Sequence, residues 1–178
     1  SMKLLGRHNV MNAVASAAVA LEAGAGLDHV KRGLESALPV QGRLSALEGL
    51  GGALILDDSY NASPNSFRAA IDVLASFPGQ QILITGDMKE LGNESRKAHQ
   101  SVGEIAKRAG VDSLWAVGDY ANLVVETFGE GGVVFEDQQS LVEYASRKLD
   151  ADSVVLVKGS RGAKMESVVN DLRGGEEA

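Results

Sequence analysis

The chain has 178 residues, 44% of them hydrophobic and 4% aromatic, with a formal net charge of −7. That length supports one full domain with a small appendage, packed on aliphatic side chains, and the acidic balance argues against a general nucleic-acid surface, which needs a basic footprint. The lack of cysteine excludes disulfides and thiolate metal sites, and no apolar run approaches the ~20 residues of a membrane helix.

In chain order, residues 9–23 are predicted to form a helix, with Val10, Val14, Ala17, Ala18 and Leu21 on one face. Its many Ala and Ser residues predict close packing against another element. Gly24 and Gly26 end it. Asp28 is expected to cap a second helix reaching residue 38, with Val30, Leu34 and Leu38 on one side, and Pro39 stops that helix.

The pattern changes after Gly42 and Arg43. Residues 44–48 and 53–57 read as a strand hairpin across a glycine-rich turn. Further strands are predicted at 81–85, 113–117, 132–135 and 153–157, with helices near 65–77, 94–109, 120–128, 138–149 and 163–172. This alternation predicts an α/β fold: a Rossmann-like, mainly parallel sheet with helices on both faces and an antiparallel edge strand, preceded by a small helical segment. The expected boundary lies near residue 41, with residues 39–43 as a hinge. Without a signal-peptide core the chain is expected to be cytosolic, and Ser1 and Met2 ahead of a start in mid-pattern suggest a fragment.

The predicted strands end on ligand-type residues. One apolar run stops at Asp57 and Asp58, the next at Gly86 and Asp87, a third at Gly118 and Asp119, and the last at Lys158, Gly159, Ser160 and Arg161. In a parallel sheet these ends share one rim, where open α/β folds bind ligands. Cations there suit phosphate or carboxylate, and acids suit hydroxyls or amines. A Gly-Asp pair after a strand is equally well a plain capped turn, so Asp87 and Asp119 are read either way. Asp57 and Asp58 are the stronger candidates. His29 reads as solvated and His99 as an ordinary residue of an amphipathic helix. Asn9 and Asn12, three apart on the first helical turn, can present amides in one direction, although a capping Asn9 is the simpler reading of that pair taken alone.

The phosphate loop G-x-x-x-x-G-K-[ST], G-x-G-x-x-G, H-E-x-x-H and G-x-S-x-G are all absent. The chain therefore reads as a binding lobe with no catalytic centre of its own.

Five spaced motifs taken together resemble the carboxyl half of the Mur ligase family. They are G-R-H-N-V-M-N-A at 6–13, Gly42 with Arg43, D-D-S-Y-N-A-S-P at 57–64, G-D-M-K-E-L-G at 86–92 and K-G-S-R at 158–161. Within the family the match is to the branch that adds D-Ala-D-Ala to UDP-MurNAc-tripeptide in peptidoglycan synthesis. The resemblance implies a cytoplasmic ATP-dependent ligase, with Mg2+ bound mostly by parts outside this chain. Residues 1–41 would be the helical tail of a central ATPase domain, and 42–178 the carboxyl-terminal Rossmann-like domain. It further implies that Asn9, Asn12, Arg43, Asp58 and Tyr60 contact the nucleotide, with Asn12 on adenine, Arg43 on the phosphates and Asp58 on the ribose. Asn61, Lys158, Ser160 and Arg161 would face the acceptor. No catalytic group, metal site, nucleic-acid partner or membrane insertion is implied for this part.

One reading from another class remains. Asp57 with Asp58, Asp87 and Lys158 imitate the acidic pair, phosphoacceptor and lysine of a receiver-like regulatory module.

Overall fold

A computed structural model of the chain describes residues 2–174, the side chain of His8 excepted. The chain opens with two helices, α1 (Arg7–Glu22) and α2 (Leu27–Ser36), which pack against each other. Gly26, not Asp28, occupies the cap position of α2; Asp28 lies in the first turn, where its charge complements the helix dipole. The periodic face of α1 is turned outward: Val10, Val14 and Leu21 are 53%, 59% and 41% exposed. That face has no cover among the described residues, although α1 does pack against α2.

After a strap at 37–44 the sheet begins. Strand β1 (Ser45–Glu48) pairs antiparallel with β2 (Leu54–Asp58) across a tight turn, as expected of a hairpin. There follow α3 (Pro64–Leu74), β3 (Gln80–Thr85), α4 (Ser95–Ala109), β4 (Ser113–Val117), α5 (Ala121–Phe128), β5 (Gly132–Phe135), α6 (Gln138–Ser146), β6 (Ser153–Lys158) and α7 (Glu166–Leu172). The six strands lie in the order β1-β2-β6-β3-β4-β5, and every pairing except the first is parallel. This is the Rossmann-like sheet with one antiparallel edge that the sequence predicted. The receiver-like alternative does not fit it, because that design leaves its last strand at the sheet edge, whereas β6 is inserted between β2 and β3.

The central strands are apolar throughout because both faces are covered. Leu56, Leu83, Leu114 and Leu156 pack against Phe67 and Ile71 of α3, Val102 of α4 and Val124 of α5. The alternate residues Ile55, Ile82, Trp115 and Val155 pack against Leu141 of α6 and Val168 and Leu172 of α7. Each such side chain, fully buried, contributes about 1.5–3 kcal/mol. Helix α3 starts sharply: Ser63 caps it, Ser66 returns the bond to the Ser63 amide, and Pro64 fits the first turn. Helix α7 begins at Glu166, later than the predicted 163, because Arg161–Ala163 form a 3-10 turn and Lys164 is left-handed at φ 51°.

Helices α4 and α5 meet at Gly103, where an added Cβ would lie 2.2 Å from both the Thr127 hydroxyl and the Val124 carbonyl oxygen. Neither helix can yield without disturbing its packing on the sheet. Gly103→Ala is therefore expected to destabilise the fold by about 1–3 kcal/mol, despite alanine's better helix propensity. A chemical-denaturation midpoint at or above that of the parent chain would count against this contact.

Candidate functional site: a cleft at the strand ends

Strand β2 connects through α3 to β3, passing over β6, and β5 returns through α6 to β6. From the carboxyl end of β2 the chain turns to α3 on one face of the sheet, and from that of β6 to α7 on the other, which opens a crevice between the two strand ends. Asp58 and Lys158 are register partners at that point, so their side chains emerge side by side.

They form an ion pair, with the Lys158 side chain 1% and that of Asp58 14% exposed. The Lys158 ammonium also donates to the Asn61 carbonyl oxygen at 2.9 Å and lies 5.4 Å from the Phe67 ring centre. Burial is the dominant influence on both charges. It pushes the Asp58 carboxyl above its ordinary value although Lys158 pulls the other way, and it pushes the Lys158 ammonium below its own although Asp58 opposes this.

Asp57 does something different from its neighbour. Strand alternation sends it to the opposite face. There its buried carboxylate accepts from the Gly42 amide at 3.0 Å, the Ser59 amide at 3.1 Å and the Ser59 hydroxyl at 2.6 Å. The Tyr60 amide in turn donates to the Gly42 carbonyl at 3.1 Å. Gly42 sits at φ 74°, and a Cβ there would come within 3.0 Å of the Tyr60 Cβ. The expectation that both acids face a ligand is corrected: Asp57 fastens the strap to the end of β2, and Asp58 alone borders the cleft.

That cleft encloses about 630 Å3. Asn9 and Asn12 of α1, Arg43 of the strap, Asp58, Tyr60, Asn61 and Lys158 all line it. Asn9 is no cap: Gly6 holds the cap position, the Asn9 amide donates to the Leu5 carbonyl at 2.8 Å, and Asn12 donates to the Asn9 side-chain oxygen at 3.3 Å. The side-chain oxygen of Asn12 accepts no hydrogen bond among the described residues. The His8 side chain lies outside the described positions.

A second, adjoining cleft of about 300 Å3 is lined by Gln41, Gly42, Ser59, Tyr60, Arg161 and Glu166. Ser160 borders neither cleft; it is buried, and both its hydroxyl and its amide donate to the Asp87 carbonyl, at 2.7 and 3.0 Å. Asp87 is likewise committed internally. Its carboxylate accepts from the amides of Asp119 and Tyr120 at 3.0 and 3.2 Å and from Lys89 at 3.0 Å, tying the end of β3 to that of β4. Asp119 is exposed, and its carboxylate meets Lys89 at 3.3 Å. His99 is not ordinary: it is 2% exposed, accepts from the Met88 amide at 2.8 Å, meets the Ser95 carbonyl at 2.7 Å and stacks on Tyr120 at 4.3 Å.

Residues that the sequence did not single out complete both clefts. Leu38 and Val40 wall the first, 68% and 64% exposed, and Asn65 and Ser66 from α3 floor it. Isolated apolar residues flanking Pro39 in a polar strap were the available signal, as was the capping spacing of Ser63 and Ser66. Glu166 gave none, because it reads as a solvated helix residue. No group of three or more acidic or histidine side chains is arranged to hold a metal among the described residues.

An open, mainly parallel sheet with a polar crevice at its switch point defines a Rossmann-like ligand-binding lobe. The family model described as "Mur ligase, glutamate ligase domain" matches residues 42–161, and the chain belongs to the Mur ligase family. It is 43% identical to the Escherichia coli UDP-N-acetylmuramoyl-tripeptide–D-alanyl-D-alanine ligase over 97% of this chain and 38% of that protein. A crystal structure of MurF from Acinetobacter baumannii superposes with a TM-score of 0.87 and 33% identity, over 97% of this chain and 39% of that one. The Thermotoga maritima MurF ligase in complex with ADP gives 0.84 and 28%, over 96% and 39%. The chain thus spans about two fifths of the length of these relatives.

Proposed function

We propose that this chain is the carboxyl-terminal part of an ATP-dependent ligase that joins D-Ala-D-Ala to UDP-MurNAc-tripeptide. In this reading residues 1–41 are the tail of the preceding ATPase domain with its hinge, and 42–178 are the closing lobe. The exposed apolar face of α1 supports the division, since that face has no cover within the lobe itself.

The observation that carries the proposal is the convergence of Asn12, Arg43 and Asp58, from three distant segments, on one cleft. An amide oxygen without a partner beside the apolar walls of Leu38 and Val40 suits the amino group and flat faces of a purine. Asp58 suits ribose hydroxyls, as the one carboxylate that borders this cleft. Arg43 is exposed, has no carboxylate partner among the described residues, and suits phosphate. Asn9 acts by holding Asn12. On the acceptor side, Arg161 suits the dipeptide carboxylate and Asn61 its polar backbone. Lys158 acts by fixing Asp58 and Asn61, and Ser160 by fixing the loop that carries Arg161. The described acids do not suit Mg2+, because Asp58 is paired with Lys158 and Asp87 with backbone amides and Lys89. The lobe's contribution to chemistry is orientation and exclusion of water from an activated carboxylate when it closes.

The test is ligation by the full-length protein that contains this chain. It should consume ATP only when both the tripeptide nucleotide and D-Ala-D-Ala are present. Arg43→Ala should raise KM for ATP by about tenfold or more, the loss of one charge-assisted contact. Absence of ATP-dependent ligation, or ordinary nucleotide kinetics in that variant, would refute the assignment.

A further inference from the structure

The Tyr60 ring stands between the two clefts and lines both. The Arg43 guanidinium lies 4.8 Å from its ring centre and the Arg161 guanidinium 5.2 Å, within cation–π range. Arg43 lines the larger cleft and Arg161 the smaller. Neither guanidinium is paired with a carboxylate among the described residues, although both are surface groups of an acidic chain. Two long, flexible cations thus share one aromatic anchor, and neither forms an ion pair among the described residues, although Glu166 lines the smaller cleft with Arg161.

The anchor is itself fixed. The Tyr60 amide is bonded to the Gly42 carbonyl, and the preceding Ser59 is held by the Asp57 carboxylate, which also holds the Gly42 amide. The ring is 43% exposed, and its hydroxyl makes no hydrogen bond among the described residues. Among the described residues nothing bonds to the hydroxyl, whereas the aromatic face meets two cations.

We infer that Tyr60 is a positioning residue for both arginines: its ring holds Arg43 ready in the one cleft and Arg161 in the other, so that the two anion-binding groups are oriented together. This rests on the ligase reading for the identity of the anions, the nucleotide phosphates at Arg43 and the acceptor carboxylate at Arg161. It does not rest on that reading for the stacking itself. Guanidinium groups stacked on a fixed ring lose less rotamer freedom when an anion arrives, so each cleft gains affinity from the same side chain.

The experiment has two arms. In this chain, NMR of the arginine side chains should find the Nε–H signals of Arg43 and Arg161 both displaced upfield by the ring current. Tyr60→Phe should keep both displacements and Tyr60→Leu should abolish both, while the backbone amide spectrum away from the clefts stays in place. In the full-length protein, Tyr60→Leu should raise KM for ATP and for D-Ala-D-Ala by about three- to fivefold each, the factor that an exposed cation–π contact is worth. Tyr60→Phe should restore most of both. Undisplaced signals in the parent chain, displacements that survive in Tyr60→Leu, a change in KM for only one of the two substrates, or a Tyr60→Phe variant as impaired as Tyr60→Leu would each overturn the inference. A full-length protein that fails to ligate at all would sink the ligase reading, and the arginine signals would still decide the stacking.

Discussion

Asp58→Ala is expected to destabilise this chain by about 3–5 kcal/mol, because it leaves the Lys158 ammonium buried without its counter-ion. Equilibrium denaturation in urea measures this directly. The loss should be larger at neutral pH than at alkaline pH. Without Asp58 the lysine's native-state pKa falls further below its unfolded value, so the unfolded chain binds the extra proton, and stability climbs as pH rises from the depressed value to the ordinary lysine one.

The intact pair has the same logic on both sides. Asp58 is raised in the folded state, so its contribution grows as pH falls from the raised value towards the ordinary carboxylate one and is lost as pH rises through the raised value. Lys158 is lowered, so its contribution grows as pH rises towards the ordinary lysine value and is lost on the way down. Between those windows both groups are charged and both bear a net desolvation cost. The double replacement Asp58→Leu with Lys158→Met should therefore be close to neutral or stabilising, unlike either single change. If the double variant is no more stable than Asp58→Ala, the ion pair is worth more than its burial costs and this account fails. If the proposed ligase reading holds, a raised KM for ATP in Asp58→Ala would have two origins, the lost carboxylate and a cleft loosened around the unpaired Lys158.

Asp57 is the second position of large effect. Asp57→Ala removes the acceptor for the Gly42 and Ser59 amides and the Ser59 hydroxyl, all in a buried setting, and should cost about 3 kcal/mol. Asp57→Asn should recover only part of this, since its amide nitrogen must face one of the two N–H groups. Hydrogen exchange at the Gly42 amide should accelerate more than at the central strand β3, because the clasp holds the strap and not the sheet. Equal acceleration at both would mean that Asp57 supports the domain as a whole and does not pin the strap.

How far the site could be read in advance differs residue by residue. Asp58 was singled out because a carboxylate ending an apolar strand has a local signature, whereas Arg43 and Asn12 were reached only through the family resemblance, since an arginine beside a glycine and two amides on one helical turn are ordinary in a string. Asp57 was misjudged because adjacent acids look alike in a string, whereas a strand sends them to opposite faces. His99 was misjudged for a related reason: periodicity ranks it on an amphipathic helix but is silent about the Met88 amide that the loop from β3 delivers to its ring. Ser160 gave no sign that its hydroxyl is spent on Asp87, 73 positions away.

Local rules were sufficient for the succession of strands and helices, for the parallel sheet that such succession requires, and for the rim on which polar groups gather, because hydrophobic period and turn chemistry act over a few residues. The insertion of the last strand between β2 and β3 was beyond those rules, and with it the meeting of Asp58 with Lys158 at a separation of 100 positions. Contacts of that span are chosen by packing and charge in the assembled sheet, so only the tertiary structure could show which acid faces the cleft and which one locks the strap.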